Sequence, residues 1–533
     1  MKTLKLIAGL LLAVALLMPP GVRGTAAAQP GLVPLRAVAE AAGAKVDWEG
    51  STQTVTVTRN DVTLVVRIGE SHGTLNGTGV FPVGTTVVLE NSRTMIPLDF
   101  LRAMLGVQVE WDATAGVAVV DEQATRAMDF MRALTQGKAD AGSFTPALRE
   151  ALPPEKLVPV AAQLKALGGM LQMSMVGRTR NAVHENVRFV AAFLSQALDV
   201  TVRFDANGLI DDYFMTAYAA PVNVAGPPPY ANPAAFTEQD LVIGEGTPFP
   251  LPATLALPTG TGPFPALVLV HGSGPNDRDE SVSGVKVFRD LAQGLAARGI
   301  AVLRYEKRTR EHSQKFMAGP SVTIHEETVA DAVLAAALLS KHEQIDPKRI
   351  FVLGHSQGGY AVPRIIAQDS DKLIAGAVIA AGPDSFLDIL VEQNKLMVEA
   401  NLLPEAQLAF VQHQVGMLRD PGFNPAAPPP GYALGLPYYW YDLIEPASVL
   451  AKEQTTPLLV FQGARDFQVP VSQFERWQAA LSGRQGVTFK LYPKLNHVFT
   501  EGDGPLGFLP EYEKPANVPV YVIDDIAAWI QGW

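Results

Sequence analysis

The sequence predicts a doubly wound α/β domain over residues 237–533, preceded by two small α+β domains. Three observations carry this expectation. From about Ala266 onward, continuous apolar runs alternate with amphipathic stretches of ten to fifteen residues, the pattern of a parallel sheet covered by helices on both faces. Residues 34–57 and 97–120 repeat one another at a constant offset of 63. A proline-rich stretch, AAPVNVAGPPPYANPAAF, forces extended chain between the middle of the sequence and its alternating C-terminal part, which defines a linker over 221–236.

The N-terminus carries Lys2 and Lys5, an apolar run from Leu6 to Met18, and small residues ending Ala26-Ala27-Ala28. This three-part layout predicts a secretory signal over residues 1–28, cleaved before Gln29. Thirteen apolar residues are too few for a membrane span, which needs about 20. A secreted or extracytoplasmic protein is expected. Its net charge of −11, with no basic run, makes nucleic acid and anionic membrane surfaces poor partners and favours a small or neutral substrate. The absence of cysteine removes disulfides, thiolate metal sites, a cysteine nucleophile and a lipid-anchored cysteine together.

In the repeat, Pro34, Gly43 and Trp48 recur as Pro97, Gly106 and Trp111. Each copy reads as a short helix opened by Pro and closed by Gly, then two strands, with the tryptophans as core anchors. The block over 30–121 resembles the stalk domain first described at the N-terminus of copper amine oxidases. That resemblance implies a spacer or cell-envelope association module. It does not imply copper, because His72 is the only histidine in the block. Residues 122–220 pass from helical periodicity (ATRAMDFMRALTQG, EKLVPVAAQLKALGGM) to a strand meander turning at Asp205-Ala206-Asn207-Gly208. This stretch resembles the helix-plus-curved-sheet domains of nuclear-transport-factor-like type, and without a convergent polar set a structural role is expected.

The C-terminal part opens with a hairpin at TPFPLPATLALPTG, runs through ALVLVHG, IAVLRYEKR and RIFVLGHS, and continues with strands near 373–380, 457–462 and 487–492. Chemistry in such sheets lies outside the carboxyl ends of the strands. There Gly354-His355-Ser356-Gln357-Gly358 follows an apolar strand and opens a helix, the setting of a nucleophile elbow. Asp466 and His497 follow later apolar strands, so the chain order is Ser, Asp, His. Ser356 is the candidate nucleophile, His497 its base and Asp466 the orienting acid. The N–H groups of Gln357 and of Ser273, in the loop after the third strand, are the candidate oxyanion donors. His271 reads as a loop-fixing group and His355 as packed beneath the elbow. Asp277, Asp279 and Glu280 lack the clustered partners of a metal site, so no metal and no cofactor is expected.

With HGSGPNDRD at 271–279, LRYEKR at 303–308, DPKRIFVLGHSQGG at 346–359, GARD at 463–466 and Asn496-His497, residues 237–533 resemble the α/β-hydrolase fold. Within it they are similar to prolyl-oligopeptidase-like and dienelactone-hydrolase-like esterases. Many relatives carry Arg-Gly after the fourth strand, where this chain has Arg308-Thr309-Arg310. An insertion over about 384–452 reads as a cap. In it Tyr438, Tyr439 and Trp440 either line an apolar acyl pocket or pack the cap onto the body. The resemblance implies a serine carboxylesterase acting on a small-molecule ester. A peptidase or an acyltransferase or thioesterase would use the same residues, and a surface-binding protein with an inert hydrolase domain is the rival of another class.

Overall fold

The two copies of the repeat build the same helix–strand–strand order and then complete each other. The computed structural model describes residues 31–77, 79–319 and 321–533, so the expected signal segment 1–28 lies outside the described residues. Pro34 and Pro97 open the helices Leu35–Ala41 and Leu98–Leu105, and Gly43 and Gly106 follow them at φ of 80° and 61°. An antiparallel pair follows each helix, Lys45–Glu49 with Thr54–Arg59 and Val109–Asp112 with Val117–Val120. The strand ahead of the first helix pairs with the strand ahead of the second: Leu32 opposite Pro97, Val33 opposite Ile96, Pro34 opposite Met95. The 63-residue offset exchanges the first and third of these pairs, so a local two-fold passes through Val33 and Ile96.

Trp48 departs from the expected core position. It is 44% exposed, whereas Trp111 packs half-buried against the core. Trp48 lies on the same face as the buried Val46, opposite the buried Val55, but Lys45–Glu49 is the edge strand of a five-stranded sheet and the core does not extend over the indole.

Residues 122–217 form the helices Glu122–Gln136, Pro146–Ala151 and Pro154–Ala166 and a four-stranded antiparallel meander from Met170 to Ala217. Met128, Met131 and Leu134 of the first helix share one apolar cluster with Phe189, Val200 and Val202 of the sheet. The proline-rich stretch after it has little regular structure, yet it is not free chain. Arg289 donates to the carbonyls of Ala225 and Gly226 at 2.8 Å each, and the Tyr230 hydroxyl donates to the Val518 carbonyl.

The C-terminal sheet has the strands β1 (Phe236–Ile243), β2 (Leu251–Pro258), β3 (Phe264–Val270), β4 (Ala301–Tyr305), β5 (Ile345–His355), β6 (Ile374–Ala380), β7 (Leu458–Gly463) and β8 (Val487–Tyr492). Their spatial order is β1-β2-β4-β3-β5-β6-β7-β8, antiparallel through β1, β2 and β4 and parallel from there on. The expected hairpin is wider than TPFPLPATLALPTG: that segment supplies only β2, and its partner is the preceding FTEQDLVI. The helices are α1 (Val287–Ala296), α2 (Arg308–Glu311), α3 (Ser313–Met317), α4 (Ala330–Leu339), α5 (Gln357–Gln368), α6 (Phe386–Glu399), α7 (Glu405–Leu418), α8 (Pro437–Asp442), α9 (Ala447–Glu453), α10 (Val471–Ala480) and α11 (Val520–Gln531). One apolar layer joins the sheet to α4, α5, α9 and α10, and another joins its opposite face to α1 and α11. Helices α6 and α7 pack on each other around Leu387, Val411, Val415 and Leu418, and Phe386 and Trp440 pack against the main core. The inner strands β2, β3, β4, β6 and β7 are buried on both faces, which explains why they read as continuous apolar runs, whereas the edge strands β1 and β8 keep exposed residues.

Candidate active site

At the end of β5 the chain turns so sharply that only a few residue types fit. Ser356 takes φ 53° and ψ −122°, a strained conformation for a residue with a Cβ. A Cβ on Gly354 would lie 2.3 Å from the Gly358 carbonyl oxygen, and one on Gly358 would lie 2.2 Å from the Val270 carbonyl oxygen. The two glycines are therefore what lets β5 lie against β3 and still turn into α5. The Ser356 N–H donates to the Ala380 carbonyl at 2.8 Å, which ties the turn to β6.

Asp466 lies in the loop after β7 and His497 in the loop after β8. The His497 Nδ1–H donates to Asp466 Oδ2 at 2.8 Å, and Gln462 Nε2 donates to the same oxygen at 3.0 Å. The other oxygen, Oδ1, accepts the backbone N–H groups of Gln468 and Val469 at 2.8 and 2.9 Å. Four donors thus hold the carboxylate, both residues are buried, and the imidazole orientation is fixed. Ser356 and His497 line one cavity of about 360 Å³, together with Gly272, Ser273, Trp440 and Tyr512.

The loop after β3 is braced from beneath by charged groups. Glu280 Oε1 accepts the Gly272 N–H at 2.7 Å, and its Oε2 accepts His355 Nδ1–H at 3.0 Å. His355 in turn donates Nε2–H to the His497 carbonyl at 2.9 Å. One buried carboxylate–imidazolium pair therefore joins the β3 loop, the elbow and the His497 loop. Burial opposes both charges; it is overcome at Glu280 chiefly by His355, leaving its pKa lowered, and at His355 chiefly by Glu280, leaving its pKa raised. His271 Nε2–H donates to the Asp277 carbonyl at 3.1 Å, and burial holds its pKa down to about 4.

Lys307, only 2% exposed, donates to the Gly272 carbonyl at 2.8 Å and to Gln357 Oε1 at 3.1 Å, and pairs with Glu327 at 3.1 Å. Gln357 Nε2 donates to the Tyr439 hydroxyl, which donates to Glu327 Oε2 at 2.9 Å. Glu280, Lys307 and Glu327 were not singled out by sequence as parts of one site. The one available signal was the charge of Lys307, two residues beyond the strand β4. Asp277, Asp279 and Glu280 do not converge. Asp277 accepts the Ser281 N–H, Asp279 pairs with Lys286 and Arg304, and Glu280 turns inward.

A second cavity of about 350 Å³ adjoins the first, sharing Ser273, Phe386 and Trp440 with it. Tyr439 and Gln357 line this second cavity. Tyr438 is among the lining residues of neither.

Residues 122–217 do offer a convergent polar set, contrary to the sequence reading, because half of it comes from the catalytic domain. His184 Nδ1–H faces Glu311 Oε1 at 2.7 Å and its Nε2–H faces Asp211 Oδ2 at 2.8 Å. Lys315 also binds Asp211, and Asp212 accepts the N–H groups of Gln314 and Lys315 at 3.1 Å. His184, Asp211 and His312 carry potential metal-ligating atoms within 4.8 Å of one another. Both His184 nitrogens are taken by carboxylates and Lys315 occupies Asp211, so the set is a closed ionic network rather than a cation site. Burial disfavours the His184 charge, and the two carboxylates outweigh it, so its pKa is raised.

Comparison with known proteins gives two family matches: residues 27–120 match the copper amine oxidase N-terminal domain, and residues 263–503 match the family described as serine aminopeptidase, S33. The esterase EstD of Thermotoga maritima is 35% identical over 357 residues, covering 66% of this chain and 80% of that protein. A match of that length is too long to be held by residues 237–533 alone. Among solved structures, an esterase of Pyrococcus furiosus aligns with a TM-score of 0.36 and 16% identity, over 59% of this chain and 99% of that one. Est1E from Butyrivibrio proteoclasticus aligns with a TM-score of 0.35 and 16% identity, over 55% and 99%.

Proposed function

Because this chain belongs to the α/β-hydrolase family of the Thermotoga maritima esterase EstD, we propose that it cleaves carboxylic esters through an acyl-enzyme formed on Ser356. The chain is an esterase-type serine hydrolase acting on ester substrates. The observation that carries the detailed reading is the contact at 2.8 Å between Asp466 and His497, a histidine that lines the same cavity as Ser356.

Ser356 Oγ attacks the ester carbonyl carbon while His497 Nε2 takes its proton, and Asp466 stabilises the imidazolium through Nδ1–H. The carbonyl oxygen becomes an anion facing the N–H of Gln357, at the first turn of α5, and the N–H of Ser273. When the tetrahedral species collapses, the bond to the alcohol oxygen breaks and His497 returns the proton to that oxygen. Water then attacks the acyl carbon with His497 as base, and Ser356 leaves as the hydroxyl. Helices α6–α8 act as the cap, with Trp440 lining the cavity of the nucleophile and Tyr439 the adjoining one. The domain divisions at 30–121, 122–220 and 237–533 and export through residues 1–28 belong to the same reading. The N-terminal module would serve as a cell-envelope contact. Among the described residues no helix is long and apolar enough to cross a membrane.

The serine aminopeptidase description of the matching family model raises a second reading. An aminopeptidase has to hold a substrate ammonium group, and for that a free carboxylate must face the site. The carboxylates lining the two cavities are Glu280 and Glu327. The first is committed to Gly272 and His355, and the second to Lys307 and Tyr439. A neutral ester fits this lining better.

A fluorophosphonate probe should label the wild type and leave Ser356→Ala unlabelled; equal labelling of both would remove Ser356 from the mechanism. Side-by-side rates on p-nitrophenyl esters and aminoacyl-p-nitroanilides separate the two readings.

A further inference from the structure

The second cavity has one wall that does not come from the hydrolase part of the chain. Phe214, on the strand Ile210–Ala217, lines it opposite residues of the β3 loop, α3 and α8. Chemistry decides which part of an ester would lie there. His497 has to reach the leaving oxygen, so the alcohol departs on the His497 side. His497 lines the first cavity and not the second. The acyl chain lies across the carbonyl carbon from the leaving oxygen and is directed past Ser273 and Trp440, which both cavities share, into the second. Phe214, Phe316, Met317, Val322 and Leu436 make that space apolar. At about 350 Å³ it is in the size range of small-molecule pockets.

The position of Phe214 is fixed by the ionic network just described. Asp211 and Asp212, three and two positions before it on the same strand, bind Lys315 and the backbone of α3, whose Phe316 and Met317 line the same cavity. The Arg310 and Arg203 guanidinium groups lie over the Phe214 ring, at 5.8 and 6.0 Å from its centroid.

Resting on the esterase reading above, we propose that the domain of residues 122–217 is part of the substrate site: Phe214 closes the acyl cavity and sets the length of an apolar acyl group. The network of His184, Asp211, Glu311 and Lys315 holds that wall in place. Phe214 is a specificity-determining residue and takes no part in bond making.

The test is kcat/KM on p-nitrophenyl esters from acetyl to decanoyl, with the leaving group held constant. Each methylene that enters the cavity should raise kcat/KM by about fourfold until the wall is met. Phe214→Trp should move the preferred acyl length shorter and Phe214→Ala should move it longer. The octanoyl-to-acetyl ratio should then differ at least about tenfold between the two variants. Phe214→Leu gives an intermediate reading if the alanine variant does not fold. Changes equal in proportion along the whole series would overturn the proposal, because a merely structural role scales every ester alike.

Alkylboronic acids give a reading independent of ester turnover, since boron replaces the acyl carbon on Ser356 and the alkyl group replaces the acyl chain. If the wild type is labelled by the fluorophosphonate but cleaves no ester, the esterase reading fails. Protection from labelling by boronic acids of graded length then still tests the cavity. Protection that does not depend on chain length, or no binding at all, would overturn the proposal.

Discussion

The Glu280–His355 pair is where the β3 loop, the elbow and the His497 loop meet, and substituting Glu280 tests whether that junction sets the geometry of catalysis. Glu280→Gln keeps an acceptor for the Gly272 N–H but leaves the His355 imidazolium facing a neutral amide. Hydrogen bonds to charged groups contribute about 1.5–3 kcal/mol, and stripping one partner from a buried pair costs about 3–5 kcal/mol. Glu280→Gln should therefore destabilise by about 2 kcal/mol, and Glu280→Ala, which also orphans the Gly272 N–H, by about 4 kcal/mol. Gly272 precedes the candidate oxyanion donor Ser273, and a misplacement on the order of 1 Å can lower a rate about a hundredfold. On a short p-nitrophenyl ester kcat should fall about tenfold for the glutamine variant and about a hundredfold for the alanine variant, with KM little changed. The pH dependence gives a second check. The lowered Glu280 pKa contributes stability present above its ordinary value near 4.5 and lost as pH falls through the folded value. The raised His355 pKa contributes stability present below 6.5 and lost as pH rises through the folded value. The wild-type thermal midpoint should accordingly peak between those limits, and Glu280→Gln should flatten the curve. A glutamine variant with wild-type kcat and an unchanged midpoint profile would refute the reasoning.

Asp466→Asn should keep the loop folded but present the wrong hydrogen-bond partner to His497 Nδ1, lowering kcat by about 10⁴-fold in steady-state assays. Gly358→Ala forces a Cβ to 2.2 Å from the Val270 carbonyl oxygen; overpacking of about 3 kcal/mol and loss of fluorophosphonate labelling are expected. His184→Gln should lower the thermal midpoint most at acidic to neutral pH. The stability that its raised pKa represents is present below 6.5 and lost as pH rises through the folded value, so wild type and variant should converge in alkaline buffer.

What could be read of the candidate site from sequence was whatever lies in the turn or loop at a strand's carboxyl end: Ser356 after β5, Asp466 after β7, His497 after β8. Strand runs are visible locally, and a sheet with both faces buried places the ends of its parallel strands along one edge. The supporting charges were not legible, because their partners are brought together by folding alone. His184 and Glu311 are 127 residues apart, and Glu280 and His355 are 75 apart. Neither pair carries a local signal. Tyr438, Tyr439 and Trp440 are consecutive on α8, and the turn of the helix takes Trp440 to both cavities and Tyr439 to one. Trp48 was misplaced for another reason: alternation puts it on the core face with Val46 but does not reveal that its strand is a sheet edge, where that face is only partly covered.

The pairing of Leu32–Pro34 with Arg93–Pro97 sets a schedule for how the N-terminal module can form. The earlier strand has no partner of its own until the matching segment of the second copy has been made. At synthesis rates of about 5–20 residues per second, that interval is roughly 3–12 s. During it, the unpaired edge of the earlier strand is exposed to other chains. The duplication has thus made two copies into one folding unit: a chain interrupted between them would present two open edges, not two smaller domains.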